Sequence, residues 1–193
     1  MELSNKEIYE KIKKELIGKE GKILFQMNND NILIDSSDII GNILQDYFKN
    51  WFIKNDIDCF QNPMTQEFPD FFNGKNKQYL EIKSFNINNG PGFDIANFYS
   101  YLNKIKENEN ILNADYLVIA YSYKDSILKI ENVYLKKIWE LTGSGKYPLS
   151  LQVKYGKVYA IRPITFNNSN KTFTSKMDFV KALYEVEQIF IDK

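Results

Sequence analysis

The sequence predicts an α/β fold of the α+β kind, a mixed central sheet flanked by helices, and three observations carry that prediction. Residues 38–52 repeat apolar side chains at helical spacing, residues 78–85 (QYLEIKSF) alternate as a strand does, and residues 115–121 (DYLVIAY) form an unbroken apolar run. Such a run suits a strand buried on both faces. With 193 residues, 44% of them hydrophobic, the chain can bury the core of one domain over 1–193. That core lies at about 38–122, followed by a C-terminal hairpin and helix at about 127–190.

The first sixteen residues, MELSNKEIYEKIKKEL, form a charged amphipathic helix rather than a signal peptide. Ile39, Ile40, Ile43, Leu44, Tyr47, Phe48, Trp51 and Phe52 then line one side of a second helix, with Ser37 or Asp38 as its N-cap. Short apolar stretches at 57–60 and 68–72 and the run at 78–85 read as strands, the last two joined by the turn Asn73-Gly74-Lys75-Asn76. After a polar loop at 86–91 and a Gly-Pro-Gly sequence at 90–92, residues 93–106 carry another helical stripe, with Asp94 in the first turn where a carboxylate is favoured. Beyond the 115–121 strand come a strand at 127–133, a helix at 135–141, and a hairpin over 149–161 turning at Tyr155-Gly156. A polar loop at 167–174 leads to a last helix from Ser175 to Phe190 whose start signal is Thr174/Ser175 with Asp178. No internal repeat or interdomain linker interrupts this order.

Composition excludes whole classes of chemistry. Histidine is absent, so Ser-His-Asp hydrolases, His-based metalloproteases and nucleases with a histidine base are ruled out. Any base must be Lys, Asp, Glu or Tyr. The single cysteine, Cys59, offers neither an intramolecular disulfide nor a cysteine-rich zinc site and is expected in the core. No apolar run approaches the roughly 18 residues of a membrane span, so a soluble, cytoplasmic protein without membrane contact is expected. Net charge is zero, from 25 basic and 25 acidic residues, which leaves nucleic-acid binding to a local surface. The 13 Tyr and 14 Phe are spaced as core residues, not as stacking platforms.

One constellation carries chemistry. Pro69-Asp70 precedes Glu81-Ile82-Lys83 by ten residues, a hairpin's separation. In a strand, Glu81 and Lys83 share a face with Tyr79 and Phe85, while Leu80 and Ile82 take the other. Opposite charges in so apolar a sheet carry a desolvation cost of several kcal/mol each. A site for a metal and a phosphate explains them. A solvent-exposed charged hairpin without chemistry is the alternative. Two carboxylates and a backbone carbonyl suit Mg²⁺, which prefers hard oxygen ligands and retains waters, and a neighbouring lysine can orient a water or take its proton.

The order and motif resemble the PD-(D/E)XK nuclease superfamily. The segments DIIGNILQDYF (38–48), NPMTQEFPDFF (62–72), EIKSFN (81–86), GPGFDIANFYSYL (90–102), LKKIWEL (135–141) and LQVKYGKVYAIRP (151–163) are similar to type II restriction endonucleases of the NgoBV/NlaIV kind. The resemblance implies a homodimer that cuts a short palindromic site in double-stranded DNA, GGNNCC for this group. Carried over, it makes Asp70 and Glu81 metal ligands together with the carbonyl of Ile82, and Lys83 the residue that positions water. Where many members carry Gly-x-x-x-Glu on the first core helix, this chain has Gly41 and Gln45. Gln45 either hydrogen-bonds a metal-bound water or is an exposed polar residue, and Asp46 is an alternative carboxylate. A second metal ion is therefore in doubt.

Arg162, the sole arginine, suits a bidentate guanine contact, with a salt bridge or phosphate contact as the alternative. Lys154, Gln152, Asn86 and Asn89 are further candidates for DNA contacts. Two other functions share most of these features: a repair or junction-processing nuclease of the same superfamily, and a catalytically silent DNA-binding module.

Overall fold

The structure, a computed structural model, describes residues 1–36, 38–64, 67–74, 77–164 and 172–191. Ser37, the turn residues Lys75 and Asn76, and loop positions 167–171 lie outside the described residues. The chain forms two compact units, each from two stretches: Met1–Gly90 with Tyr116–Leu135, and Pro91–Asp115 with Lys136–Lys193.

The first unit opens with α1 (Asn5–Leu16), started by a capping box in which Ser4 and Glu7 satisfy each other's backbone N–H. Ile8, Ile12 and Leu16, four residues apart, are its buried stripe. Three short strands follow, β1 (Glu20–Lys22), β2 (Leu24–Met27) and β3 (Asp30–Leu33), then α2 (Ile40–Lys54), β4 (Cys59–Gln61), β5 (Phe71–Asn73) and β6 (Gln78–Asn86). Strands β8 (Asp115–Lys124) and β9 (Ile127–Lys136) complete a mixed six-stranded sheet in the order β1-β9-β8-β6-β5-β4. The β8–β9 turn places Asp125 and Ser126 both at positive φ, the conformation a two-residue hairpin requires. Leu80 and Ile82 of β6 enter one core with Ile8 and Ile12 of α1 and Leu44, Phe48 and Phe52 of α2. Cys59 lies in that core, where burial pushes its thiol up to about 12.

Helix α2 departs from expectation at its start. Its N-cap is Ile39, without a capping side chain, while Asp38 turns its own N–H to Ser36 Oγ. Burial of Ile40, rather than a cap, marks the beginning. The apolar stripe is also narrower than predicted, since Ile39 and Tyr47 are exposed.

The second unit holds β7 (Ala96–Asn97), α3 (Phe98–Glu107), a 3-10 turn (Glu109–Asn113), α4 (Ile138–Leu141), β10 (Leu151–Lys154), β11 (Lys157–Ile161) and α5 (Lys176–Ile191). Its sheet runs β10-β11-β7. The helix expected from residue 93 begins only at Phe98. Ile95, Ala96 and Asn97 are engaged in pairing with β11, and Asn97 then caps α3 by accepting from Ser100 N. Asp94 therefore lies outside the helix. Likewise β9 continues to Lys136 and leaves only one helical turn at 138–141. The β10–β11 hairpin turns at Tyr155-Gly156, both at positive φ, and α5 starts with Ser175 Oγ accepting from Asp178 N, as predicted.

Candidate active site

The site grows from the register of one hairpin. Phe71 pairs with Leu80, Phe72 with Tyr79 and Asn73 with Gln78, so one step further Asp70 stands opposite Glu81. There side chains replace the backbone ladder: Asp70 N donates to Glu81 Oε2 at 2.9 Å, and Ile82 N donates to Asp70 Oδ2 at 2.8 Å. Each carboxylate is fixed by the other's strand. Lys83 Nζ lies 2.9 Å from Glu81 Oε1, and the two side chains are only 21% and 8% exposed. That burial removes the alternative of a solvent-exposed charged hairpin.

Gln45 comes from α2. It is half-buried and its side chain hydrogen-bonds Asp70, so it belongs to the cluster rather than to the exposed face of the helix. One turn earlier Gly41 passes over β6, where a Cβ would meet Ser84 Oγ at an ordinary 3.8 Å. Asp46, adjacent to Gln45 and therefore on another face, is exposed. Among the described residues no group of three His, Cys, Asp or Glu side chains has the geometry to hold a metal ion. Two carboxylates, of Asp70 and Glu81, and the neutral amide of Gln45 come together here.

The electrostatics follow from this packing. Burial raises the Asp70 carboxyl and the nearby Glu81 raises it further, against the lowering effects of Lys83, the Ile82 N–H and Gln45, leaving it at about 7. Two buried carboxylates that disfavour each other's charge are stabilised by a cation, and their hard oxygens suit Mg²⁺. The residues fit the ion.

One contributor escaped the sequence reading. Asn62, 6% exposed, donates its side-chain amide to the carbonyls of Pro69 at 3.0 Å and Glu67 at 3.3 Å, and accepts from Met64 N. Its own backbone N–H holds Asp70 O at 2.8 Å. It grips the chain on both sides of the Pro69-Asp70 peptide. Its position within NPM could have suggested an Asx turn, but no spacing ties it to Asp70.

The residues considered for DNA contact belong to both units. Asn86 ends β6 and accepts from Asn88 N through its side chain, and Asn89 is exposed. In the second unit, Lys154 stacks over Tyr159 at 4.2 Å and Gln152 buries an amide oxygen that has no hydrogen-bond partner among the described residues. Arg162 directs its guanidinium to the Asp94 carboxylate and the Gly92 carbonyl. This is the ion pair weighed as the alternative to a guanine contact.

Comparison with known proteins places this geometry. The family described as NgoBV restriction endonuclease matches residues 2–191. The type II restriction enzyme NlaIV of Neisseria lactamica is 34% identical over 196 residues, covering 96% of this chain and 81% of the relative. The type II restriction enzyme NgoBV of Neisseria gonorrhoeae is 31% identical over 150 residues, 75% of this chain and 85% of the relative. A solved structure of the NlaIV restriction endonuclease superposes with a TM-score of 0.89 at 34% identity, over 97% of this chain and 81% of that one. A match over nearly the whole chain, in sequence and in fold, establishes that the chain belongs to the NgoBV family of type II restriction endonucleases.

Proposed function

We propose that this chain is a Mg²⁺-dependent, site-specific endodeoxyribonuclease that hydrolyses phosphodiester bonds within a short palindromic site in double-stranded DNA. It acts as a cytoplasmic homodimer, and its target is GGNNCC. The observation that carries the reading is the convergence of Asp70, Glu81, Lys83 and Gln45 at the end of one strand pair.

In this reading Asp70, Glu81 and the Ile82 carbonyl hold the ion. Bound there, Mg²⁺ would polarise the scissile phosphate and lower the pKa of a bound water. Lys83, kept in place by Glu81, orients the attacking water and offsets charge on the phosphate. Gln45 supplies a neutral hydrogen bond beside Asp70 and adds no charge for a second ion. Ionisation of Asp70, favoured by Lys83 and the Ile82 N–H, is the step that readies the site. For DNA contacts we assign Lys154, Gln152, Asn86 and Asn89, with Arg162 as the alternative discussed below.

The test is incubation of the purified protein with plasmids that carry or lack GGNNCC, in Mg²⁺ or in EDTA. Discrete fragments are expected only from the first plasmid in Mg²⁺. Lys83→Ala should lower cleavage by at least 100-fold, the scale of a lost acid–base or electrostatic group, while duplex binding in Ca²⁺ stays within about threefold. Cutting confined to branched DNA would replace the reading with a junction-processing nuclease. Binding without cutting would replace it with a silent module.

A further inference from the structure

Charge is balanced over the whole chain and unbalanced along it. Residues 141–177, nearly a fifth of the sequence, hold six of the 25 basic residues and none of the 25 acidic ones. Near the middle of that stretch stands the β10–β11 hairpin, residues 151–161. Its strand β11 alternates as a half-covered strand does: Val158 and Ala160 are buried, while Lys157 and Tyr159 face solvent.

Two features of that outer side work against the hairpin's stability. Lys154 and Lys157 are direct cross-strand partners, and like charges set opposite each other destabilise a strand pair. Neither has a carboxylate partner among the described residues. Lys154 lies over the Tyr159 ring, which keeps it on this face. The second feature is the turn. Tyr155 takes its first position at φ 51, where Asn, Asp or Gly is the usual choice, and its side chain is fully exposed. No packing within the chain offsets either arrangement, and an anionic partner offsets the first.

We propose that the β10–β11 hairpin is a clamp on the backbone of duplex DNA, in which Lys154 and Lys157 take separate phosphates and the Tyr155 hydroxyl donates to a phosphate or sugar oxygen beside them. The inference rests on the DNA substrate of the proposed function. It adds Lys157 and Tyr155 to the residues that hold DNA and gives the hairpin a task that positions the duplex without reading its sequence. The chemistry of the side chains supports this. A lysine ammonium is a compact point charge that suits a phosphate and lacks the planar fork that reads a guanine edge in two bonds. Paired Cα atoms stand about 4.5–5.5 Å apart, and the long flexible stems let the two ammonium groups diverge to different phosphates. Tyrosine is likewise among the side chains that bond phosphate and sugar. The absence of any acid from residues 141–177 removes from this stretch the charge that repels a polyanion.

The experiment is equilibrium binding of the full chain, in Ca²⁺ and from about 50 to 200 mM salt, to a duplex that carries GGNNCC and to one that lacks it. Lys154→Gln and Lys157→Gln are each expected to weaken both duplexes by the same factor. Each should reduce the slope of log affinity against log salt by about 0.9, and the double variant by about 1.8. Tyr155→Phe, which removes only the hydroxyl, should weaken both duplexes equally and leave the slope as it is. Lys14→Gln, at a lysine exposed on α1, is the charge control and should change nothing. The lysine variants should melt no lower than the wild type, since their opposed charges are gone; a lower melting temperature makes the pair structural and overturns the clamp. An unchanged slope in the double variant, or an equal reduction by Lys14→Gln, overturns it and leaves DNA binding by the chain standing. A loss confined to the GGNNCC duplex makes the hairpin a base reader and overturns it too. A wild-type chain that binds neither duplex overturns the proposed function itself, and the clamp with it.

Discussion

Asp70 is where burial and function pull against each other. Its carboxyl is raised from 3.8 to about 7 by desolvation and by Glu81, so the folded chain holds this proton more tightly than the unfolded chain does. Between those two values stability falls as pH rises, because the native state binds more protons there. Above about 7 the penalty is complete. The metal-free protein should therefore melt at progressively lower temperature from pH 4 to pH 7, and Asp70→Asn should flatten that slope. A cation at the carboxylates competes with the same proton, so Mg²⁺ affinity should drop by about tenfold per pH unit below about 7. Calorimetric titration of Mg²⁺ across this range, with Asp70→Asn as the control, checks both. A pH-independent affinity would detach Asp70 from the ion.

At the scale of elements, the site is precise because a hairpin register and a loop clamp act together. Asn62 supplies the clamp. Its replacement by Ala leaves the Pro69 and Glu67 carbonyls and the Met64 N–H without their partner, a cost of about 1–3 kcal/mol. We expect Asn62→Ala to lower kcat for DNA cleavage by tenfold or more with little change in KM, because the Asp70 oxygens lose their setting while DNA contacts do not. Asn62→Asp, which keeps the acceptor for Met64 N and loses both donors, should recover little. A fall in melting temperature with kcat intact would confine Asn62 to stability.

Those same elements show what periodicity can and cannot reveal. The alternation of Leu80, Glu81, Ile82 and Lys83 and the ten-residue gap to Asp70 are local, and both faces of β6 lie as that alternation requires. Strands β1, β2 and β3 went unrecognised for the opposite reason. They are three or four residues long and exposed throughout, so no burial pattern marks them. Residues 93–97 carried a helical stripe, but pairing with β11, more than sixty residues away, claimed their backbone first. The grip of Asn62 on Pro69 is equally invisible, since it depends on a loop conformation rather than a repeat.

For the whole molecule, neutrality is the constraint on DNA recognition. With 25 basic and 25 acidic residues, affinity must come from a local surface, and discrimination from a few side chains that reach base edges. In the proposed function the target is palindromic and presents those bases twice, which a two-fold symmetric dimer would meet with one set of residues. Arg162 is the only guanidinium available for a bidentate guanine contact, yet in this chain both arms of its fork are committed, one to Asp94 and one to the Gly92 carbonyl. The pair is partly exposed, so it contributes about 1 kcal/mol or less to stability. Its effect is to hold the 92–94 segment against the residue that follows β11. A lysine keeps the charge and cannot serve two acceptors in one plane. Arg162→Lys should then lower the melting temperature by a few degrees and leave the ratio of cognate to singly mismatched duplex binding in Ca²⁺ unchanged within about twofold. Should that ratio fall by roughly 5-fold to 150-fold, the equivalent of about 1–3 kcal/mol, Arg162 leaves Asp94 to read guanine. A uniform loss on every duplex with a shallower salt dependence would instead place it on a phosphate.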